Sequence, residues 1–116
     1  MIKRYDQNHL MSQVVCYEGR FETAGQIAKN PQADIRIQTA EALEAIDVLL
    51  EKIGADKSHL TRIQMWMADI SGFEEMNAVY EKWLEGHQKP VRACVQSGLI
   101  AGGYLIEIQG FGFLPR

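Results

Sequence analysis

Three residues near the C-terminus carry side chains that could do chemistry at close spacing. Arg92 and Cys94 stand two apart in Val91-Arg92-Ala93-Cys94-Val95, and Glu107 stands between Ile106 and Ile108. A guanidinium is charged at any working pH and grips a carboxylate in a planar fork. A carboxylate raised in pKa by burial can direct and deprotonate a water, although a neighbouring arginine pushes that pKa the other way. Together, Arg92 and Glu107 suit a reaction in which a substrate acid is held and a water is aimed at it. An Arg92–Glu107 ion pair that only holds an interface is the alternative these residues leave open. Cys94 has the type of a nucleophile, but no histidine is placed by sequence to serve as its base, so a small buried residue is expected. His9, His59 and His87 are scattered, and no Cys/His cluster has metal-ligand spacing. No metal and no cofactor is therefore expected.

The elements that must position these groups follow from the rest of the chain. Its 116 residues, 47% hydrophobic and 23% charged, suit one globular domain spanning residues 1–116. No stretch approaches the roughly 18 apolar residues of a membrane span, and no apolar run follows the basic residues at the start. With two widely separated cysteines, this predicts a cytoplasmic chain with reduced thiols and no membrane partner. A net charge of −3 without a basic run argues against a nucleic-acid partner.

Val14–Tyr17 and Phe21–Thr23 read as a hairpin around Glu18-Gly19-Arg20. Ile35, Leu43, Ile46, Leu49, Leu50 and Ile53 recur at helical steps, and Gly54 is the expected stop. Between Thr61 and Ile70, Ile63, Met65 and Met67 alternate with Arg62, Gln64 and Trp66, which predicts a strand. Ser71-Gly72-Phe73-Glu74 reads as a capping box opening a second helix with Met76, Val79, Tyr80, Trp83 and Leu84 on its apolar stripe. Two strands complete the chain between Val91 and Phe113.

The predicted order is β-β-α-β-α-β-β. It is an α+β fold with two helices packed on one face of a mixed, largely antiparallel sheet. If the last two strands form a hairpin turning at Ile100 and Ala101, Arg92 pairs with Gln109, Ala93 with Ile108, Cys94 with Glu107 and Val95 with Ile106. Alternation then sends Val91, Ala93, Val95, Ile106 and Ile108 toward the helices. Arg92, Cys94, Gln96, Glu107 and Gln109 gather on the other face with Leu105 and Phe111. Apolar residues interleaved with charges there predict partial burial against another subunit.

An ordered series of short motifs runs through the chain: Ser12-Gln13-Val14-Val15, Ala24-Gly25-Gln26-Ile27, Gln38-Thr39, Asn77-Ala78-Val79-Tyr80, Pro90-Val91-Arg92-Ala93-Cys94-Val95 and Tyr104-Leu105-Ile106-Glu107-Ile108. The series resembles the Rid (YjgF-like) family of enamine/imine deaminases, in its arginine-bearing branch, over nearly the whole length. The resemblance implies a chorismate-mutase-like fold and a homotrimer with ligand clefts between subunits. It implies that Arg92 holds the carboxylate of a 2-imino or 2-enamino acid, with the backbone at Cys94 and near Gly25 touching the ligand. By the same resemblance Glu107 orients the attacking water, and hydrolysis gives a 2-oxo acid and ammonia without a cofactor.

Two positions depart from the family pattern. The family's G-P-Y-S-Q segment reads His9-Leu10-Met11-Ser12-Gln13, so Met11 stands where the site tyrosine would, and Ala24 replaces the usual serine. A thioether offers bulk and at most a weak acceptor where a phenol would donate. Two function classes follow: a cofactor-free deaminase, or a non-catalytic trimer that binds a small carboxylate or a protein partner through the same clefts.

Overall fold

The computed structural model describes residues 1–115. Six strands and two helices follow in the order β1 (Lys3–Tyr5), β2 (Val14–Tyr17), β3 (Arg20–Thr23), α1 (Ile35–Lys52), β4 (Leu60–Met67), α2 (Phe73–Trp83), β5 (Val91–Gln96) and β6 (Ile106–Phe113). The strands lie side by side as β1-β2-β3-β6-β4-β5, antiparallel throughout except for the parallel pair β4–β5. The predicted hairpin is present: Glu18 and Gly19 both have positive φ, at 49° and 78°, the two-residue turn whose twist matches that of its strands. Strand β1, short and largely polar, is an addition to the predicted order.

Both helices cover one face of the sheet. Val14, Cys16, Phe21, Ile63, Met65, Met67, Ile106 and Ile108 are buried there against Ala42, Leu43, Ile46, Leu49 and Leu50 of α1 and Met76 of α2. Helix α1 ends at Gly54, φ +77°, as its sequence predicts. Helix α2 begins differently. Its N-cap is Gly72 without a side-chain bond, and the preceding turn is capped by Asp69, whose carboxylate accepts from the Ser71 amide at 2.9 Å. The capping box is thus replaced by an aspartate one turn earlier, and β4 stops at Met67 to make room for that turn.

The larger correction concerns β5 and β6, which do not pair. Strand β4 lies between them: Ile63 is level with Arg92 and Gly110, Met65 with Cys94 and Ile108, and Trp66 with Val95 and Glu107. Residues level with one another share a face. Arg92, Cys94 and Gln96 therefore lie on the helix-covered side, while Val91, Ala93 and Val95 lie on the uncovered side with Glu107, Gln109 and Phe111. Only the β6 half of the expected face assignment stands. The reason is the helix between β4 and β5: a strand–helix–strand unit closes as a parallel pair, and residues 97–105 then carry the chain across the end of β4.

That crossing is tied down by one side chain. The amide nitrogen of Gln38, fully buried in α1, shares its two hydrogens among the carbonyls of Pro31 (3.1 Å), Ala33 (3.1 Å) and Gly103 (3.0 Å), and its carbonyl accepts from the Leu105 amide at 2.9 Å.

Candidate functional site

Strand β5 is an edge strand, so part of its backbone polar groups, including those around Cys94, face away from the sheet. Its Arg92 leans toward α2. The guanidinium donates to Asn77 Oδ1 at 2.6 Å and lies over the rings of Tyr80 and Phe73, 4.9 Å and 5.4 Å from their centroids. Residues 73, 77 and 80 follow one another at helical steps, so a single stripe of α2 supplies the whole cradle. The result is a cation fixed on one side by a hydrogen bond and stacking. In front of it opens a cleft of about 380 Å3. Cys94 packs against the core, and burial pushes its thiol pKa up against the opposing pull of Arg92. A raised pKa favours the protonated thiol and makes it a poorer nucleophile, consistent with its backbone being what a ligand would meet.

Glu107 belongs to a second cluster, on the uncovered face of the sheet. Its carboxylate lies so close to the Gly25 Cα that any side chain there would overlap it. Gln26 fastens this contact: its amide donates to the Ile108 carbonyl at 2.7 Å, and the Ile108 amide returns a bond to Gln26 at 2.9 Å. The Gln26 side chain then donates to Gln13 Oε1 (3.0 Å) and to the Ala24 carbonyl (3.1 Å). Three segments distant in sequence, 12–13, 24–26 and 106–108, are thereby knit around one carboxylate. The glutamines that do this, Gln13 and Gln26, stand inside the motifs quoted above, which by themselves assign them no role.

Met11 borders the same region. Asn8 Oδ1 accepts from the amides of Leu10 (2.7 Å) and Met11 (2.9 Å), and this tight turn leaves Met11 50% exposed. Met11 and Ala24 line a cleft of about 520 Å3 together with Arg4 and Glu22. Glu22 accepts from the Tyr17 hydroxyl at 2.8 Å, a bond that, with the charge of Glu22, raises the phenol's pKa.

The five residues singled out in the sequence thus fall into two groups. Gly25 and Glu107 are in contact, and Met11 lies beside Ala24, the neighbour of Gly25; Arg92 and Cys94 are together on the other side of the sheet. Along β6, Glu107 is three residues from the position level with Arg92, and β4 and β5 add two strand spacings. The backbones are about 14 Å apart, with the side chains on opposite faces. One chain does not bring Arg92 to Glu107, so the ion-pair alternative is absent within the subunit. Among the described residues, no group of three or more His, Cys, Asp or Glu side chains is placed to hold a metal ion.

Comparisons with known proteins agree with this architecture. The model of the family described as Endoribonuclease L-PSP matches residues 1–112. The chain is 35% identical over 108 residues to the RutC family protein YoaB of Escherichia coli, covering 93% of this chain and 94% of that one. It is 31% identical over 108 residues to a RutC family protein of Haemophilus ducreyi, with 93% and 92% covered. Among solved structures, a YjgF-family protein from Neisseria meningitidis superposes with a TM-score of 0.95 at 27% identity, over 100% of this chain and 97% of that one. The Rid protein YyfA from Yersinia pestis superposes at 0.87 and 26% identity, over 93% and 90%. Two helices on a mixed six-stranded sheet, shared with these relatives, give the chain a chorismate-mutase-like fold and make it a member of the YjgF/Rid family.

Proposed function

We propose that this protein is a cofactor-free hydrolase of reactive 2-imino and 2-enamino acids, in the arginine-bearing branch of its family. The single observation that carries this reading is Arg92: a guanidinium already oriented by Asn77, Tyr80 and Phe73, with an open cleft before it. Such a group holds a substrate carboxylate without reorganising, and orientation of this kind is a large part of catalysis. The working unit is a homotrimer in which the Arg92 half of one subunit meets the Glu107 half of the next. The separation of the two halves within a chain supports this, as do Val91 and Val95, which are 69% and 45% exposed on the uncovered face.

In the proposed reaction the substrate carboxylate sits on Arg92 and backbone groups near Cys94. Glu107, fixed against Gly25, accepts a proton from a water as its oxygen adds to C2 of the iminium. The same carboxyl returns that proton to the nitrogen of the tetrahedral adduct. Ammonia then leaves as the C–N bond breaks, the hydroxyl of the adduct gives its proton to Glu107 as the C=O bond of the 2-oxo acid forms, and ammonia carries that proton away as ammonium. Met11 contributes surface and no proton. A non-catalytic trimer binding a small carboxylate is the second reading, favoured by the two hydroxyls that Met11 and Ala24 do not supply. The family description as an endoribonuclease fits this chain less well, since its net charge is −3. A cytoplasmic location, where amine-removing enzymes release such imines, suits the reduced cysteines Cys16 and Cys94.

The test is hydrolysis of imines released by an amino-acid oxidase, followed by trapping with semicarbazide. Wild-type protein should deplete the trapped imine, and Arg92→Ala should lose this effect while remaining a trimer. Full turnover in Arg92→Ala would remove that residue from the mechanism.

A further inference from the structure

A second positive group shares the cleft in front of Arg92. Lys89 lines it, along with Asn77, Tyr80 and Glu81. The Lys89 ammonium donates to the carbonyls of His87 at 2.6 Å and Leu84 at 3.3 Å, just beyond the end of α2. Two of its three donors are so fixed, which sets the position of the charge and leaves the third donor free. Tyr80 lines the same cleft, but its hydroxyl is shielded from solvent, so the donors open to a ligand are those of Lys89 and Arg92. Glu81 is the one acid in the lining, against two fixed cations. A ligand matched to this wall brings acceptor oxygens at more than one point.

The spacing says where those oxygens belong. Lys89 precedes Pro90, which restricts it to extended backbone, so positions 89 and 92 are about 10 Å apart along the chain. A five-carbon chain with a carboxylate at each end spans about 5 Å between its terminal carbons. Each charge-assisted hydrogen bond adds about 3 Å, so a five-carbon diacid reaches donors about 11 Å apart, the scale of a cleft that both Arg92 and Lys89 line.

Resting on the reading of Arg92 as the grip for the 2-carboxylate, we infer that Lys89 is a specificity-determining residue and that the site prefers 2-imino acids with a second carboxylate on the side chain, of the glutamate or aspartate type. Arg92 takes the carboxylate next to the reacting carbon, and Lys89 takes the distal one at the mouth of the cleft. Glu81 opposes the distal carboxylate and limits how strongly it is held.

The experiment uses glutarate and valerate, five-carbon acids that differ by one carboxylate, titrated calorimetrically into the assembled protein. Glutarate should bind about tenfold more tightly. Lys89→Met should remove most of that difference, Glu81→Gln should widen it, and Arg92→Ala should weaken both acids. In turnover, the ratio of kcat/KM for the imines of glutamate and norvaline should fall about tenfold in Lys89→Met, through KM. Equal affinity of the wild type for the two acids would overturn the inference. So would equal weakening of both acids in Lys89→Met, which would make Lys89 only a tie for the end of α2. Lys89-dependent glutarate binding without imine hydrolysis would sink the deaminase reading and leave this ligand class standing. Hydrolysis without a preference would do the reverse.

Discussion

The two faces of the sheet solve different problems with the same strands. On the helix side, Ile63, Met65, Met67, Ile106 and Ile108 are sealed from solvent. On the other side, Trp66, Gln64, Glu107, Gln109 and Phe111 are only half buried, and Val91 and Val95 more exposed still. The first pattern is that of a core. The second, apolar groups interleaved with charges on a rigid surface, is that of a face completed by association. The two halves of the candidate site divide along the same line, Arg92 with the covered face and Glu107 with the open one. In the proposed trimer, the covered face would hold each subunit together and the open face would bring the two halves of the site into one cleft.

That division can be broken from either side. The largest effect is expected on the open face: Val95→Glu buries an unpaired charge wherever subunits meet, so sedimentation should show monomers of about 13 kDa that keep the secondary structure of the wild type. A trimer that survives this change would put the contact elsewhere. Ile108→Ala tests the covered face, and denaturant unfolding should show a loss of about 3 kcal/mol. Gly25→Ala sharpens the comparison within the site. The added methyl displaces the Glu107 carboxylate, and turnover should drop about a hundredfold while assembly persists. Unaltered turnover in this variant would free Glu107 from its proposed role.

The smallest effect is one of pH. Asp69, which caps the turn before α2, has its carboxyl held below the usual range by the hydrogen bonds from Ser71. A depressed carboxylate pKa contributes stability that is present above the ordinary carboxylate range and lost as pH falls through the folded value. Asp69→Asn keeps a capping acceptor without the titration, so acid unfolding should become less steep, with little change at neutral pH.

What could be read in the sequence was local. The Glu18-Gly19 turn, the span of α1 and its stop at Gly54 depend on residues within a few positions of one another, and all three are found in the structure. Arg92, Glu107 and Gly25 stand out by type and motif in the sequence. Their relative placement did not, because it depends on strand order. A hairpin between β5 and β6 and a crossover around β4 satisfy the same alternation of residues, yet they send Arg92 to opposite faces. The deciding signal was the helix between β4 and β5, which by itself argues for a parallel pair. Lys89 went unnoticed for a different reason: its role depends on where the end of α2 puts two carbonyls, which no spacing reveals. The three-residue strand β1 was too short and too polar to give any periodicity.

The buried Gln38 has a consequence for how the molecule opens. One amide side chain holds four backbone groups, from the loop before α1 and from the passage into β6. Neither loop can peel away without stranding polar groups of the other in a dry interior. The two should therefore open as one cooperative unit, with the Leu105 amide exchanging its hydrogen at the pace of the first turn of α1. Ile100, exposed on the far side of that anchor, belongs to a stretch into which a residue could be inserted with the entry into β6, and the Glu107 that follows it, staying in register.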